Sequence, residues 1–250
     1  MMDKKVFALV AHPDDIEFMM AGTLFRLKAL GWEIHYMTIA NGCCGSVQHN
    51  KEEIIRIRRE EAMNAAHYMG AVFHESLAND LEVFYCDDLI RKITAIVRNI
   101  QPTIMLLPAL EDYMEDHMNT ARIGVTAAFA RGCKNYISFP AVESYEADIA
   151  LYHAMPMGLK TALGVPVVPD LFIDITDVLE QKKNMLSFHK SQQNWLSISQ
   201  GDNEYIDTMV EMGEQMGKLS EKFLYAEGWK LHNNLGYSRE MINPLKEIFE

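Results

Sequence analysis

The chain alternates short apolar runs with longer segments in which apolar residues recur every three or four positions. The first run extends from Val6 to Val10, the segment after it reaches Gly31, and a second run extends from Glu33 to Ala40. Short runs rich in β-branched residues are typical of buried strands, and the longer spacing is typical of helices. The pattern therefore predicts βαβ units, an α/β fold with a mostly parallel sheet flanked by helices.

The same alternation continues as far as Gly132. We predict three further helices and two further strands in this part of the chain: a helix from about Lys51 to Met69 ended by Gly70, a strand from Ala71 to His74, a helix from about Asp88 to Ile100, a strand from Thr103 to Leu107, and an Ala-rich helix ending near Gly132.

Beyond Gly132 the pattern is less regular. It predicts three strands and two helices: strands at Val142 to Tyr145, Ile149 to His153 and Leu171 to Ile175, and helices from about Asp177 to Phe188 and Glu204 to Tyr225. There is no internal repeat, no low-complexity linker and no shift in composition. A length of 250 residues then favours one domain covering residues 1–250.

Charge and hydropathy exclude two classes of partner. The chain has 35 acidic residues against 23 lysines and arginines, so it lacks the positive field that binds nucleic acid. No stretch approaches the roughly 20 apolar residues of a membrane span, and the first residues do not resemble a signal peptide. We expect a soluble, cytoplasmic protein, with its four cysteines as free thiols and a homo-oligomer left open.

The first polar cluster, AHPDDIEF, follows the first predicted strand. Open α/β sheets place their ligand sites at the carboxyl ends of strands, so chemistry is expected there. His12 and Asp15 lie three positions apart across a turn, close enough to hold one ion from two sides. An imidazole and a carboxylate suit zinc or a neighbouring divalent metal, and Asp14 points elsewhere on the same turn.

The second polar cluster, EDYMEDH, follows the strand from Thr103 to Leu107. In a parallel sheet both clusters reach the same edge, so His117 is available as a third ligand. Two histidines and one aspartate with an open position are the ligand set of a catalytic zinc site. A second carboxylate that does not bind the metal would then be the natural general base.

These residue types also have simpler interpretations. Asp14 and Asp15 could cap the following helix, where side-chain acceptors and negative charge are favourable. His117 could satisfy a local backbone group. The residues taken alone leave both alternatives open.

Several motifs in order resemble the PIG-L or LmbE-like de-N-acetylase family, zinc-dependent hydrolases with a Rossmann-like sheet that act on N-acetylated sugars. AHPDDIEFMMAGT resembles the family's AHPDDxE...GGT opening, with Ala21 where the first glycine is usual. IRREEAMNAAHYMG resembles its helix with Arg and Glu leading to Gly, and EDYMEDHMNTA resembles its HPDH segment. PDLFIDITDVLEQKKNMLSFHKSQ and YAEGW resemble its carboxyl-terminal motifs.

The resemblance implies a zinc ion held by His12, Asp15 and His117, with Fe²⁺ as an alternative metal. It implies that Asp14 is the base that takes a proton from water and that Asp116 orients a catalytic histidine. The implied substrate is a small N-acetylated sugar or sugar conjugate. Zinc and a nearby donor would stabilise the oxyanion.

The chain departs from the family at one position of the site. The first histidine of HPDH falls at Met114, and a thioether can neither donate a hydrogen bond nor act as an acid. One alternative is that Tyr113 serves the oxyanion. The other is that hydrolysis is lost and the protein binds metal or an acetylated ligand without turning it over. We favour a working hydrolase, because Asp14 and the three ligands are intact.

Substrate contacts are implied at Arg58 or Arg59 and at Asp80, where the family recognises sugar hydroxyls. Asp80 stands in AND and not in the usual PDG, and the arginines could equally form a solvated helix face. His189, Gln192 and Glu227 are expected to be structural or pocket-lining. A nucleotide-binding protein is disfavoured, because the first turn is HPDD and not a Gly-rich phosphate loop.

Overall fold

The computed structural model describes residues 4–200 and 205–250, and in that part of the chain seven strands form one sheet. The strands are β1 Lys5–Val10, β2 Glu33–Thr38, β3 Val72–His74, β4 Ile104–Leu107, β5 Ala150–Ala154, β6 Leu171–Asp174 and β7 Ala226–Leu231. Their order across the sheet is β3-β2-β1-β4-β5-β7-β6. The first five are parallel, and β7 runs antiparallel to both β5 and β6.

Strand β1 lies at the centre of the parallel part and is buried along almost its whole length. Ala8 pairs with Tyr36 of β2 on one side and with Leu106 of β4 on the other. A strand covered on both faces reads as a continuous apolar run, which explains VFALV. The strand order reverses between β1 and β4, and at such a point open α/β sheets have a crevice beyond their carboxyl ends.

Helices cover both faces of this sheet. The helices are α1 Asp15–Met19, α2 Ala21–Ala29, α3 Lys51–Met69, α4 Asp87–Ile100, α5 Glu115–Ala130, α6 Leu179–Leu186, α7 Lys190–Gln200, α8 Tyr205–Ser220 and α9 Pro244–Phe249. One apolar core joins the sheet to α2, α3, α6 and α8, and a second joins it to α4 and α5. None of the helices described is long and apolar enough to cross a lipid bilayer.

The structure confirms the α/β class with a mostly parallel sheet flanked by helices, but several predicted elements were wrong or missed. The strand predicted at Val142 to Tyr145 is irregular. Its backbone pairs outside the sheet: the guanidinium of Arg98 donates to Val142 O at 2.8 Å, and Tyr145 N–H donates to Arg131 O at 3.1 Å. The predicted helix up to Gly31 is two helices, and β7, α7 and α9 were not predicted.

The helix predicted over Glu204 to Tyr225 is shorter than its pattern indicated. It is observed as α8, ending at Ser220, and Glu204 itself lies outside the described residues. Strand β7 begins six residues after Ser220. The apolar positions after Ser220 therefore belong to the connection and to the sheet.

Glu227 ties the antiparallel strand β7 to the helices next to the crevice. Its Oε1 accepts the N–H of Gly22 at 2.9 Å, and its Oε2 accepts the N–H of Thr23 at 2.7 Å. The ammonium of Lys182, on α6, lies 2.5 Å from Oε1, and both side chains are buried. A Cβ at Gly22 would lie 2.5 Å from Ile175 and 2.9 Å from Glu227, so only glycine fits there.

Lys182→Met leaves the buried carboxylate of Glu227 without its cation, so we expect it to lower the free energy of unfolding by about 3 kcal/mol. Lys183→Met is the matched control, because Lys183 forms an exposed pair with Glu180 and such pairs contribute little. Urea unfolding followed by circular dichroism measures both. Equal losses in the two variants would contradict the anchoring role of Lys182.

Candidate active site

Three side chains meet at the carboxyl edge of β1 and β4. His12 follows β1, Asp15 begins α1, and His117 lies in the first turn of α5. His12 Nδ1 lies 3.3 Å from His117 Nε2. Asp15 Oδ2 lies 3.7 Å from the first of these nitrogens and 3.6 Å from the second. The structure therefore brings the three predicted metal ligands together.

This triangle fits a single metal ion. Nitrogen and oxygen ligands at about 2.1 Å from a tetrahedral ion lie about 3.4 Å from one another. The three observed separations span 3.3 to 3.7 Å. Two imidazole nitrogens and one carboxylate oxygen suit zinc and other divalent transition metals. The three atoms are therefore a candidate site for one divalent cation.

Two further carboxylates orient the histidines. Asp116 Oδ2 lies 3.1 Å from His12 Nε2, and Asp112 Oδ1 lies 3.0 Å from His117 Nδ1. Each imidazole thus has a carboxylate partner on the nitrogen that faces away from the triangle, as in many metal sites. Asp116 acts on His12 and not on a histidine at position 114. Asp112 was missed, although it stands in the same polar cluster of the sequence.

The carboxylates stabilise positive charge at this edge of the sheet. Burial lowers the pKa of His12, but its hydrogen bonds with Asp116 and Asp15 outweigh burial and raise that pKa to about 10. Burial also lowers the pKa of His117, yet the charge of Asp15 and the hydrogen bond with Asp112 leave it raised. This is the electrostatic environment that a bound cation requires.

Asp14 lies beside the triangle, and its side chain does not cap α1. Its Oδ2 accepts a hydrogen bond from Tyr205 Oη at 2.5 Å, and Arg58 Nη2 lies 3.5 Å from its Oδ1. Burial raises the pKa of Asp14 against the opposing charge of Arg58. Its φ of 109° is in the left-handed range that non-glycine residues avoid, at a cost of about 1–3 kcal/mol.

The side-chain contacts of Asp15 and His117 differ from those of a helix cap and of a histidine that satisfies a backbone group. Asp15 Oδ2 accepts the N–H of His12 at 2.8 Å, so it faces back towards the strand end. His117 pairs with the carboxylate of Asp112 and not with a backbone carbonyl.

The predicted substrate-binding residues support the wall of the site. Arg58 is 2% exposed and donates to Pro13 O, whereas Arg59 is exposed and pairs with Glu75. Asp80 Oδ1 accepts the N–H of Gly42 at 2.7 Å, and its Oδ2 accepts the N–H of Cys44 at 2.8 Å. Arg58 and Asp80 therefore fix the backbone next to the site, whereas Arg59 does not contact it.

A cavity of 460 Å³ opens over the triangle. Tyr113 lies at its wall, 62% exposed, with its ring edge-on to His117 at 5.7 Å between centroids. Partial burial and the charge of Asp15 raise the pKa of Tyr113 to about 12, so its phenol is protonated. Much of the remaining lining is apolar: Phe18, Met19, Leu81, Met114, Met157, Trp195 and Leu196.

Two further contacts link the site to the carboxyl-terminal half of the chain. His189 Nε2 lies 3.1 Å from Glu17 Oε1, and Tyr36 Oη donates to the same carboxylate at 3.0 Å. Trp229 is buried and donates to Thr23 Oγ1 at 2.9 Å, so it does not line the cavity. Tyr205 was missed by sequence reasoning, because nothing links it to Asp14 across 191 positions.

Known proteins resemble this chain in sequence and in fold. A diacetylchitobiose deacetylase from Thermococcus kodakarensis is 26% identical over 198 residues, covering 76% of this chain and 70% of that protein. A 4-oxalmesaconate hydratase from Pseudomonas putida is 25% identical over 193 residues, covering 72% and 70%. The crystal structure of N,N'-diacetylchitobiose deacetylase from Pyrococcus horikoshii superposes with a TM-score of 0.77 at 22% identity, covering 97% and 88%.

A protein-family model matches the part of the chain that contains both polar clusters of the site. The PIG-L model, described as GlcNAc-PI de-N-acetylase, matches residues 7–128. This stretch contains most of β1, all of β2 to β4 and most of α5, and with them His12, Asp14, Asp15 and His117. Residues 7–128, just under half of the chain, carry a match to the PIG-L family.

Proposed function

We propose that this protein is a zinc-dependent hydrolase that removes an acetyl group from an N-acetylated amino sugar or sugar conjugate. The observation that carries the proposal is the buried triangle of His12, Asp15 and His117 with Asp14 beside it. Sequence similarity to a diacetylchitobiose deacetylase supports the reaction class.

His12, Asp15 and His117 would hold the ion, with Asp116 and Asp112 keeping the two imidazoles in place. A divalent cation there supplies Lewis-acid activation of water and polarises a carbonyl oxygen. Asp14 accepts a proton from the attacking water as its oxygen bonds to the amide carbon. When the carbon–nitrogen bond breaks, the proton goes to the leaving amine, which gives acetate and a free amino sugar.

The oxyanion needs a hydrogen-bond donor in the cavity. Met114 cannot supply one. Tyr113 also lines the cavity, and its phenol is protonated because its pKa is raised to about 12. We assign the oxyanion contact to Tyr113.

Hydration of an unsaturated carboxylic acid is the second candidate, because the hydratase relative is nearly as similar in sequence as the deacetylase. Both reactions begin with an activated water. Among the cavity-lining residues that the structure describes, Arg58 is the one permanent cation, and it already lies against Asp14. Asp15 and Asp80 also line the cavity, and their negative charge disfavours a polyanionic substrate, so deacetylation ranks first.

Metal binding tests the proposed ligands. The metal-free protein should bind one zinc ion per chain in this triangle. His117→Ala should weaken that binding more than about 100-fold, since loss of a supporting partner alone typically costs 10–100-fold. Titration calorimetry measures the affinity. His49→Ala, which changes an exposed histidine paired with Glu53, should leave it unchanged.

Acetate release tests the base. The zinc-loaded protein should release acetate and amine in equal amounts from an N-acetylated amino sugar. Asp14→Asn should lower kcat by about 10²–10⁴-fold, the usual contribution of a general base, while zinc affinity stays close to that of the unchanged protein. Full activity in Asp14→Asn would contradict the assignment, and turnover of an unsaturated carboxylate with no acetate from any sugar would favour the hydratase.

Two variants test the oxyanion wall. Tyr113→Phe should lower kcat about 10²–10³-fold with little change in KM, because the donor acts mainly in the transition state. Met114→His should retain or raise activity. An unaffected Tyr113→Phe would remove Tyr113 from the reaction. If the unchanged protein releases no acetate and the Met114→His variant does, the natural chain is an inert homologue.

A further inference from the structure

The connection between β2 and α3, residues 39–50, carries two adjacent cysteines, and Cys44 lines the cavity. Asp80 accepts the N–H groups of Gly42 and Cys44 at 2.7 and 2.8 Å, and Asn41 Oδ1 accepts the N–H of Cys43 at 3.1 Å. The φ of Gly42 is +79°, which glycine adopts without strain. Hydrogen bonds to the side chains of Asp80 and Asn41 therefore hold the backbone that carries both thiols.

The two thiols have the spacing of a chelating pair. Cys43 Sγ lies 3.8 Å from Cys44 Sγ, far beyond the roughly 2.05 Å of a disulfide. Two sulfurs bound to a tetrahedral ion at about 2.3 Å lie about 3.8 Å apart. The observed separation therefore needs little change to accept an ion between the two sulfurs.

A third ligand stands beside this pair. One carboxylate oxygen of Asp80 and the two sulfurs all lie within 4.8 Å of one another. Each carboxylate oxygen has two lone pairs, so Asp80 can bind an ion while it still accepts the two backbone N–H groups. Cys44 is exposed and lines the cavity together with Asp80, so an ion can reach them from solvent.

We propose that Cys43, Cys44 and Asp80 form a second metal site, selective for thiophilic cations such as Cd²⁺. Two soft thiolates distinguish it from the triangle of His12, Asp15 and His117, which offers two nitrogens and one oxygen. Sequence reasoning assigned these cysteines no role, because adjacent cysteines lack the C-x-x-C spacing of familiar zinc sites. The proposal concerns binding and does not depend on deacetylase activity.

Titration of the reduced, metal-free protein with Cd²⁺ tests this site. We expect thiolate-to-cadmium charge-transfer absorption in the ultraviolet that rises with added Cd²⁺ and then saturates. Cys43→Ser and Cys44→Ser should each lower the affinity read from this band at least 10-fold. Circular dichroism and thermal unfolding should show that both variants fold like the unchanged protein.

Control variants test whether other thiols or the triangle of His12, Asp15 and His117 contribute to the absorption band. Cys86→Ser and Cys133→Ser change the other two free thiols and should keep the band. His117→Ala should also keep it, because that variant removes a ligand of the triangle only. Absence of the band in the unchanged protein, its persistence in both Cys43→Ser and Cys44→Ser, or its loss in His117→Ala would each overturn the proposal.

Discussion

The pairing of β1 with β4 is the constraint on which the rest of the site depends. Three residue pairs of this parallel ladder, from Val6–Ile104 to Ala8–Leu106, align the two strand ends. His12 and His117, 105 positions apart in sequence, thereby come within 3.3 Å. Burying several carboxylates in such a place is costly unless each has partners. The two imidazoles, Arg58 and backbone N–H groups supply those partners.

The carboxyl-terminal half of the chain supports a site that lies in the amino-terminal half. Glu227 fixes the first turn of α2, and Tyr205 holds the carboxylate of Asp14. Asp14 keeps an unfavourable φ, which persists where surrounding contacts determine it. The contacts of Arg58 with Pro13 and Asp14 act on the same turn. The proposed metal ligands and the proposed base are thus held by elements from both halves.

The sequence predicted those features that local patterns determine. Apolar runs identified β1, β2 and β4, and the HPDD turn, which directly follows a buried strand, indicated two of the proposed metal ligands. Prediction from the sequence failed where contacts between distant residues determine the structure. Arg98 draws the backbone of Val142 away from the sheet, and Tyr205 reaches Asp14 only through tertiary packing. Strand β7 escaped prediction because the segment AEGWKL mixes charged residues and glycine with its apolar positions.

The function that we propose requires His12, Asp15 and His117 to bind one catalytic ion. An anomalous-difference map from zinc-soaked crystals, measured on both sides of the zinc absorption edge, tests it directly. We expect a peak within bonding distance of His12 Nδ1, Asp15 Oδ2 and His117 Nε2, with His12 Nε2 still paired with Asp116. A map without a peak at these three atoms, from crystals that bind zinc elsewhere, would contradict it.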